Sequence, residues 1–352
     1  MSNSGAGRRA EEIFFGKIED KLPKLCSGYS KIVVIAGKDT AEHWLNKVQG
    51  KIGSDSEGII FDSGEPNKNL KTVENLCRQL RRLGCDRNSL LISLGGGVTN
   101  DIVGFVASIY MRGVDWITLP TTVLAQADAS IGGKTGVNLD NYKNMAGSYY
   151  HPKAVLVDKR FLSTLPEEFI REGLGEIIKM GFICDKNILA YLDKLNNDNL
   201  LGEELSNAIE LAAKAKADII ERDFRESGER KLVNFGHTIG HAVETISLSS
   251  AKHLLHGEAV AIGILAEARL AELEGVCKEN ITDKIAAYCK KFAISTNVGQ
   301  NPAEILAKVS ADKKNIGQNI YWTLPSSIGK GIFNHQASPQ NITKAIDFIT
   351  AN

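Results

Sequence analysis

The sequence predicts an α/β chain in two parts: a parallel-sheet domain over residues 1–166 and an all-helical domain over residues 167–352. Three observations carry this reading. In the first half, short runs rich in β-branched residues alternate with stretches of helical periodicity, as parallel βαβ units do. One of those runs ends in three consecutive glycines, Gly95-Gly96-Gly97. From about residue 167 to 292 the pattern is almost wholly helical, with few prolines and few strand signals.

Taken in order, KIVVIA (31–36) and EGIIFD (57–62) are strand candidates. TVENLCRQLRRLG (72–84) repeats apolar residues at Val73, Leu76, Leu80 and Leu83, which is helical spacing, and ends on Gly84 as a C-cap. SLLISL (89–94), VDWITLP (114–120) and AVLVD (154–158) complete five strands. The alternation stops at Leu165-Pro166. EEFIREGLGEIIKMGFI, LSNAIELAAKAKADIIERDF and GEAVAIGILAEARLAELEG then read as helices. A late strand, NIYWTLP (319–325), precedes a final short helix near 340–350.

Composition bounds the function. Lys plus Arg and Asp plus Glu both number 42 in 352 residues, and 43% of residues are hydrophobic. That balance excludes long disorder and a domain that holds nucleic acid by bulk charge. The length suits two domains at roughly 100–200 residues each. No run of about 18 apolar residues appears, so no membrane span is expected. The six cysteines are scattered without a CxxC pair, which reads as reduced thiols in a cytoplasmic chain.

Two turns point to an anionic ligand. LLISLGGGVTNDIVGFVAS runs a buried strand into three glycines, with a helix opening near Asn100-Asp101 that Asn100 could cap. Glycines let backbone approach a ligand closely, and a helix N-terminus offers N–H groups to phosphate. The GxGxxG spacing of a dinucleotide fingerprint is absent, however, and a tight strand-to-helix turn would look the same. DASIGGKTGVN resembles the tail of a P-loop, but Asp128 occupies the position of that motif's first glycine. What remains is a turn presenting Lys134, with Asp128 before it and Lys143 and Asn144 after.

Four of the seven histidines fall within residues 237–256. His237 and His241 are four apart, so on a helix they share a face; Asn234 and Arg230 continue that spacing upstream. A catalytic zinc commonly takes three protein ligands, and two histidines with one carboxylate would suffice. Spacing alone does not say which pair and which carboxylate. Glu176 and Lys179, three apart, and Lys216 sit among apolar residues. A solvated helix face is the alternative for the first two.

Together these segments resemble the 3-dehydroquinate synthase family of the sugar phosphate cyclase superfamily. The likeness runs from SGEPNKNLKT (63–72) to ADKKNIGQ (311–318), through GGGVTNDIVGFVAS, YMRGVDWITLPTTVLAQADASIGGKTGVN, KNMAGSYYHP, FLSTLP, GLGEIIKMG, RKLVNFGHTIGHAVE and HGEAVAIG. It implies an N-terminal Rossmann-like NAD-binding domain and a C-terminal helical metal-binding domain, in a homodimer. It implies Glu176, His237 and His256 as ligands of zinc or cobalt. His241 then belongs to the substrate site. NAD contacts are implied for Glu65, Lys68, Gly96, Gly97, Asp101, Thr121, Thr122, Lys134, Lys143, Phe161 and Thr164. Substrate contacts are implied for Asp128, Lys134, Asn144, Lys179, Lys216, Arg230, Asn234, His241 and one of Lys313 and Lys314, with Lys314 preferred. Arg112 resembles the family arginine that reaches the substrate phosphate from the neighbouring subunit.

The family reaction cyclises 3-deoxy-D-arabino-heptulosonate 7-phosphate to 3-dehydroquinate by NAD-dependent oxidation, β-elimination of phosphate, reduction and aldol closure. Two departures stand out: Thr99-Asn100 precedes Asp101 where a small residue is common, and Phe224-Arg225-Glu226 is less acidic than usual. Synthases of 2-epi-5-epi-valiolone and 2-deoxy-scyllo-inosose resemble this chain but usually lose the equivalents of Arg230 and Asn234, which meet a substrate carboxylate. The residues do not separate an aminodehydroquinate synthase. A metal-dependent polyol dehydrogenase shares the two-domain layout and the glycine turn but would release NADH. A non-enzymatic metal-binding or scaffold role is the remaining reading.

Overall fold

The computed structural model describes residues 11–53, 55–140, 142–248, 253–310 and 320–351. Expectations for Lys313 and Lys314 fall outside them. The chain divides into two compact units, Met1–Leu165 and Pro166–Asn352.

The first unit contains, in order, β1 (Glu12–Phe15), α1 (Leu22–Cys26), β2 (Lys31–Gly37), α2 (Lys38–Ile52), β3 (Glu57–Phe61), α3 (Leu70–Arg82), β4 (Ser89–Gly95), α4 (Gly97–Ile109), β5 (Asp115–Pro120), β6 (Lys134–Leu139), β7 (Tyr142–Tyr149) and β8 (Ala154–Val157). Six strands form one parallel sheet in the order β1-β8-β5-β4-β2-β3. Its apolar runs are continuous because both faces are covered. In β2, Ile32, Val34 and Ala36 pack with Leu45, Val48 and Ile52 of α2, while Val33 and Ile35 pack with Leu76 of α3 and Val103 of α4. The chain crosses from one side of the sheet to the other between β2 and β4, so the loops after β2 and β4 stand at a topological switch, where α/β sheets bind ligands. The sequence pattern passed over β1 and the β6–β7 hairpin. Polar and aromatic residues interrupt the hairpin's alternation, and a register shift falls between Val137 and Leu139.

The second unit contains α5 (Glu167–Ile183), α6 (Asn187–Lys194), α7 (Glu203–Arg222), α8 (His237–Ser247), α9 (His256–Leu273), α10 (Ile281–Lys291), α11 (Pro302–Ser310), β9 (Trp322–Ser327), β10 (Lys330–His335) and α12 (Pro339–Thr350). It is helical as the periodicity requires, with an antiparallel β9–β10 hairpin added. The expected late strand covers only the first half of that hairpin. Helix α9 is buried nearly all round, from Gly257 to Ala271, which explains why its pattern is apolar on every face. Helices α5 and α8 pack against it. No described helix is long and apolar enough to cross a membrane.

Candidate active site and metal centre

In the first unit, β4 delivers the chain into Gly95-Gly96-Gly97. A Cβ at Gly95 would lie 2.6 Å from Thr99 Oγ1, and one at Gly96 would lie 2.9 Å from Thr122 Cγ2, so side chains are excluded. Helix α4 starts at Gly97 with Gly96 at its N-cap, and no side chain caps it. The first-turn N–H groups and the dipole therefore face the space the glycines leave open, an arrangement suited to a pyrophosphate. This corrects the expectation that the helix opens near Asn100 and that Asn100 caps it. Asn100 is buried inside the first turn, where its Oδ1 accepts from the Thr118 hydroxyl. Glycine at the N-cap lets the helix begin three residues earlier.

Beside this turn lies a polar cluster. Lys68 is buried and donates to Asp101 Oδ2 at 2.5 Å and to Asn144 Oδ1 at 2.5 Å. Glu65 Oε1 accepts from Asn138 Nδ2 at 2.8 Å and stands 3.9 Å from Lys143 Nζ. Asn138 also donates its backbone N–H to Lys68 O at 2.8 Å and accepts from the Asn144 N–H at 2.9 Å. It ties the Glu65–Lys68 turn to the Lys143-Asn144 pair. Neither the periodicity nor the resemblance singled it out, because it makes its bonds through both backbone and amide.

Thr121 is buried and donates its N–H to Gly95 O at 3.0 Å, while Thr122 Oγ1 accepts from the Ala125 N–H at 3.0 Å. Asp128 lies in a π-helical turn, Ala125–Ala129, and Lys134 opens β6. Thr164 Oγ1 accepts from Trp44 Nε1 at 2.8 Å. The Phe161 ring is in the core, edge-on to Trp44 at 5.0 Å, so a ligand could meet only its backbone. Arg112 is exposed, in a positive-φ pair with Met111.

In the second unit, three helices converge on one point. Glu176 of α5 is 1% exposed. Its Oε1 stands 3.5 Å from His237 Nε2 and 3.3 Å from His256 Nε2, and Lys179 Nζ pairs with its Oε2. Among the described residues, neither carboxylate oxygen is met by a well-directed hydrogen bond. Ligand atoms about 2.0–2.1 Å from a tetrahedral metal stand about 3.3–3.4 Å from one another. The trio thus has the spacing and the donor chemistry of a two-histidine, one-carboxylate zinc or cobalt site, and it could hold the ion. A solvated face for Glu176 and Lys179 is contradicted, since both are buried.

The packing explains the convergence. A Cβ at Gly257 would lie 1.8 Å from Glu172 O, and one at Gly263 would lie 1.8 Å from Gly236 O. Glycine at these positions lets α5, α8 and α9 touch backbone to backbone. His237 and His256 are the first residues of α8 and α9. The start of α8 is held by Glu267, fully buried, which accepts from the N–H groups of Gly236 at 2.6 Å and Ile239 at 3.0 Å. Burial pushes the Glu172 carboxyl up to about 7, against the pull of His256 and of the His256 and Gly257 N–H groups.

Burial also raises the Glu176 carboxyl, but the Lys179 charge and His256 outweigh it and hold it at about 2. Burial lowers His256, but Glu176 and Glu244 outweigh it and hold it well above its ordinary value. A site that draws protons so strongly to nitrogen is one that a metal cation can occupy instead.

His241 shares the α8 face with His237, rings 5.0 Å apart. Arg230 and Asn234 do not continue that helix. They lie in a 3-10 turn, Glu229–Asn234, and Gly236 at φ 80° breaks the chain before α8. A Cβ at Gly236 would lie 2.4 Å from Ile264 Cγ2, so close packing sets the break. Arg230 is 1% exposed and donates to Phe224 O at 2.6 Å; Asn234 donates to Glu226 Oε1 at 2.5 Å. Lys216 of α7 is also buried. The structure therefore brings Glu176, Lys179, His237, His241 and His256 together. Glu244 and Glu267 went unremarked in the sequence, although Glu244 follows His241 by three residues on the same helix.

Family models described as 3-dehydroquinate synthase N-terminal and C-terminal match residues 58–172 and 173–315. The 3-dehydroquinate synthase of Alkaliphilus metalliredigens is 42% identical over 328 residues, 91% of this chain and 90% of that one. A 2-epi-5-epi-valiolone synthase from Streptomyces hygroscopicus, solved with NAD+ and Zn2+, superposes with a TM-score of 0.89 at 25% identity, covering 99% of both chains. A 2-deoxy-scyllo-inosose synthase, solved with carbaglucose-6-phosphate, NAD+ and Co2+, gives 0.85 at 26% identity over 95% of both. With matched models spanning most of its length and relatives this similar, the chain belongs to the 3-dehydroquinate synthase family.

Proposed function

We propose that the chain is a 3-dehydroquinate synthase, converting 3-deoxy-D-arabino-heptulosonate 7-phosphate to 3-dehydroquinate and phosphate in the shikimate route to aromatic amino acids. The observation that carries the reading is the Glu176–His237–His256 trio around a buried carboxylate, with Arg230 and Asn234 in the turn that leads into α8. An arginine and an amide suit a substrate carboxylate, which the valiolone and inosose substrates lack.

Bound NAD supplies a hydride acceptor and donor, and a bound zinc or cobalt ion supplies a Lewis acid. Residues 1–166 form the NAD-binding domain, and 167–352 form the metal- and substrate-binding domain. The Gly96-Gly97 turn and the N-terminus of α4 receive the pyrophosphate. Glu65, Lys68, Asp101, Thr121, Thr122, Lys134, Lys143 and the 161–164 backbone complete the cofactor contacts. Lys179 keeps Glu176 ionised, and with both imidazoles deprotonated on metal binding the trio would offer one anion and two nitrogen lone pairs. Arg230 and Asn234 orient the substrate carboxylate. Asp128, Lys134, Asn144, Lys179 and Lys216 hold its hydroxyls and phosphate. His241 carries a proton, its ring lying beside the ligand histidines.

The enzyme is cytoplasmic, consistent with six free cysteines. It is a homodimer in which Arg112 reaches the neighbouring subunit's phosphate. Exposed apolar side chains of the same unit support that: Ile109 at the end of α4, Met111 next to Arg112 in the chain, and Leu139, Tyr142, Met145 and Tyr149 on the β6–β7 hairpin.

Supplied with the heptulosonate phosphate, catalytic NAD and zinc or cobalt, the enzyme should release phosphate with no net accumulation of NADH. Stoichiometric NADH would favour a polyol dehydrogenase. Turnover of a sugar phosphate lacking the carboxylate, in preference to the heptulosonate, would overturn the assignment in favour of another cyclase.

A further inference from the structure

His256 is held at both ring nitrogens. Its Nε2 faces Glu176 Oε1 at 3.3 Å, and its Nδ1 faces Glu244 Oε2 at 3.4 Å. A neutral imidazole has one N–H and one lone pair. A carboxylate can only accept, so with Glu244 ionised the hydrogen belongs on Nδ1. That leaves the Nε2 lone pair directed at the point shared with His237 Nε2 and Glu176. His237 is fixed in the same sense by a neutral acceptor: its Nδ1 stands 3.2 Å from Phe235 O. Glu244 is only 7% exposed in its side chain, and it sits on α8, whereas His256 is the first residue of α9. It therefore joins the two helices that supply the histidine ligands.

We propose that Glu244 is a positioning residue of the metal site. It selects the Nδ1–H tautomer of His256, fixes the ring plane, and raises the basicity of the ligating nitrogen without itself contacting the metal. The proposal rests on the Glu176–His237–His256 ligand reading and extends it. It competes with one other arrangement of the same atoms, in which His241, Glu244 and His256 hold an ion of their own.

The test is metal binding by the full-length protein, stripped with a chelator and titrated with zinc or cobalt against a chromophoric competitor. Outer carboxylates of this kind typically contribute about 10–100-fold in metal affinity. Glu244→Ala should weaken binding by about that factor. Glu244→Gln, which keeps the shape and can still accept from Nδ1, should weaken it by less. Both should bind one metal per chain, and both should shift the visible absorption of the cobalt-loaded protein, which a general loss of stability would not do. Affinity within twofold of wild type in both variants, with an unchanged cobalt spectrum, would overturn the proposal. So would a second metal per wild-type chain that the variants lose. Should the alanine variant misfold, the glutamine variant decides. His256→Ala separates the two layers of the argument: retained stoichiometric metal there sinks the ligand reading itself, whereas loss there with intact binding in the Glu244 variants sinks only the positioning role.

Discussion

At Glu176, burial and charge act in opposite directions, and charge prevails because Lys179 and two imidazoles surround the carboxylate. The sequence carried both readings of this residue, since a Glu–Lys pair three apart suits a wet helix face as well as a site. Only burial separates them. Glu274 shows the same balance in a structural setting. Burial raises its carboxyl, but Asn341, the Ser338 N–H and hydroxyl, and His335 outweigh that and hold it at about 2, below the ordinary 4.5. It therefore stabilises the start of α12 fully above pH 4.5, and that contribution fades as pH falls from 4.5 toward 2. Glu274→Gln should cost about 1.5–3 kcal/mol at pH 7, the range for hydrogen bonds to a charged group. Urea unfolding across pH 7 to 3 should show the gap between variant and wild type narrowing; a gap independent of pH would refute this account.

Among the helices, glycine placement governs how closely α5, α8 and α9 approach. Helix propensity alone favours replacing a mid-helix glycine with alanine by about 1 kcal/mol. Packing reverses that sign at Gly263, where the added methyl would meet Gly236 O at 1.8 Å. Gly263→Ala should destabilise by about 1–3 kcal/mol or more and weaken metal binding, because α8 must move away with His237. Gly50→Ala in α2, which meets nothing within 4 Å, should instead stabilise by about 0.4–1 kcal/mol. Thermal unfolding of the two variants decides; a shift of the same sign in both would remove packing as the cause. Five of the sheet's six strands, all but β1, were legible because two covered faces demand continuous apolar runs. The β6–β7 and β9–β10 hairpins were harder to read, since a short two-stranded ribbon with little buried surface imposes no strong alternation.

For the whole molecule, equal numbers of acidic and basic residues exclude steering of a partner by bulk charge, yet local charge is concentrated. Lys68, Lys179, Lys216 and Arg230 are all buried, and Lys68 and Lys179 each meet a carboxylate nearby. Neutrality in the total therefore coexists with buried local charge. The exposed apolar side chains of the β6–β7 hairpin belong to the proposed dimer. Tyr142→Lys combined with Tyr149→Lys should shift the protein toward monomer in sedimentation and lower activity, because Arg112 would no longer reach its partner's site. A double variant that stays dimeric would place the interface elsewhere.

By itself the sequence determined the α/β-then-helical order, the glycine turn after β4 and the family, because periodicity, glycine positions and motif order are properties of the chain alone. Tertiary structure decided the rest. It set Asn100 inside α4 rather than at its cap, broke the helix between Asn234 and His237, and chose Glu176 over a solvated face. It also set Glu244 of α8 against His256 of α9, and Glu267 of α9 against the start of α8. These outcomes depend on which backbones can touch and which charges lose water, and both are set only when distant segments pack.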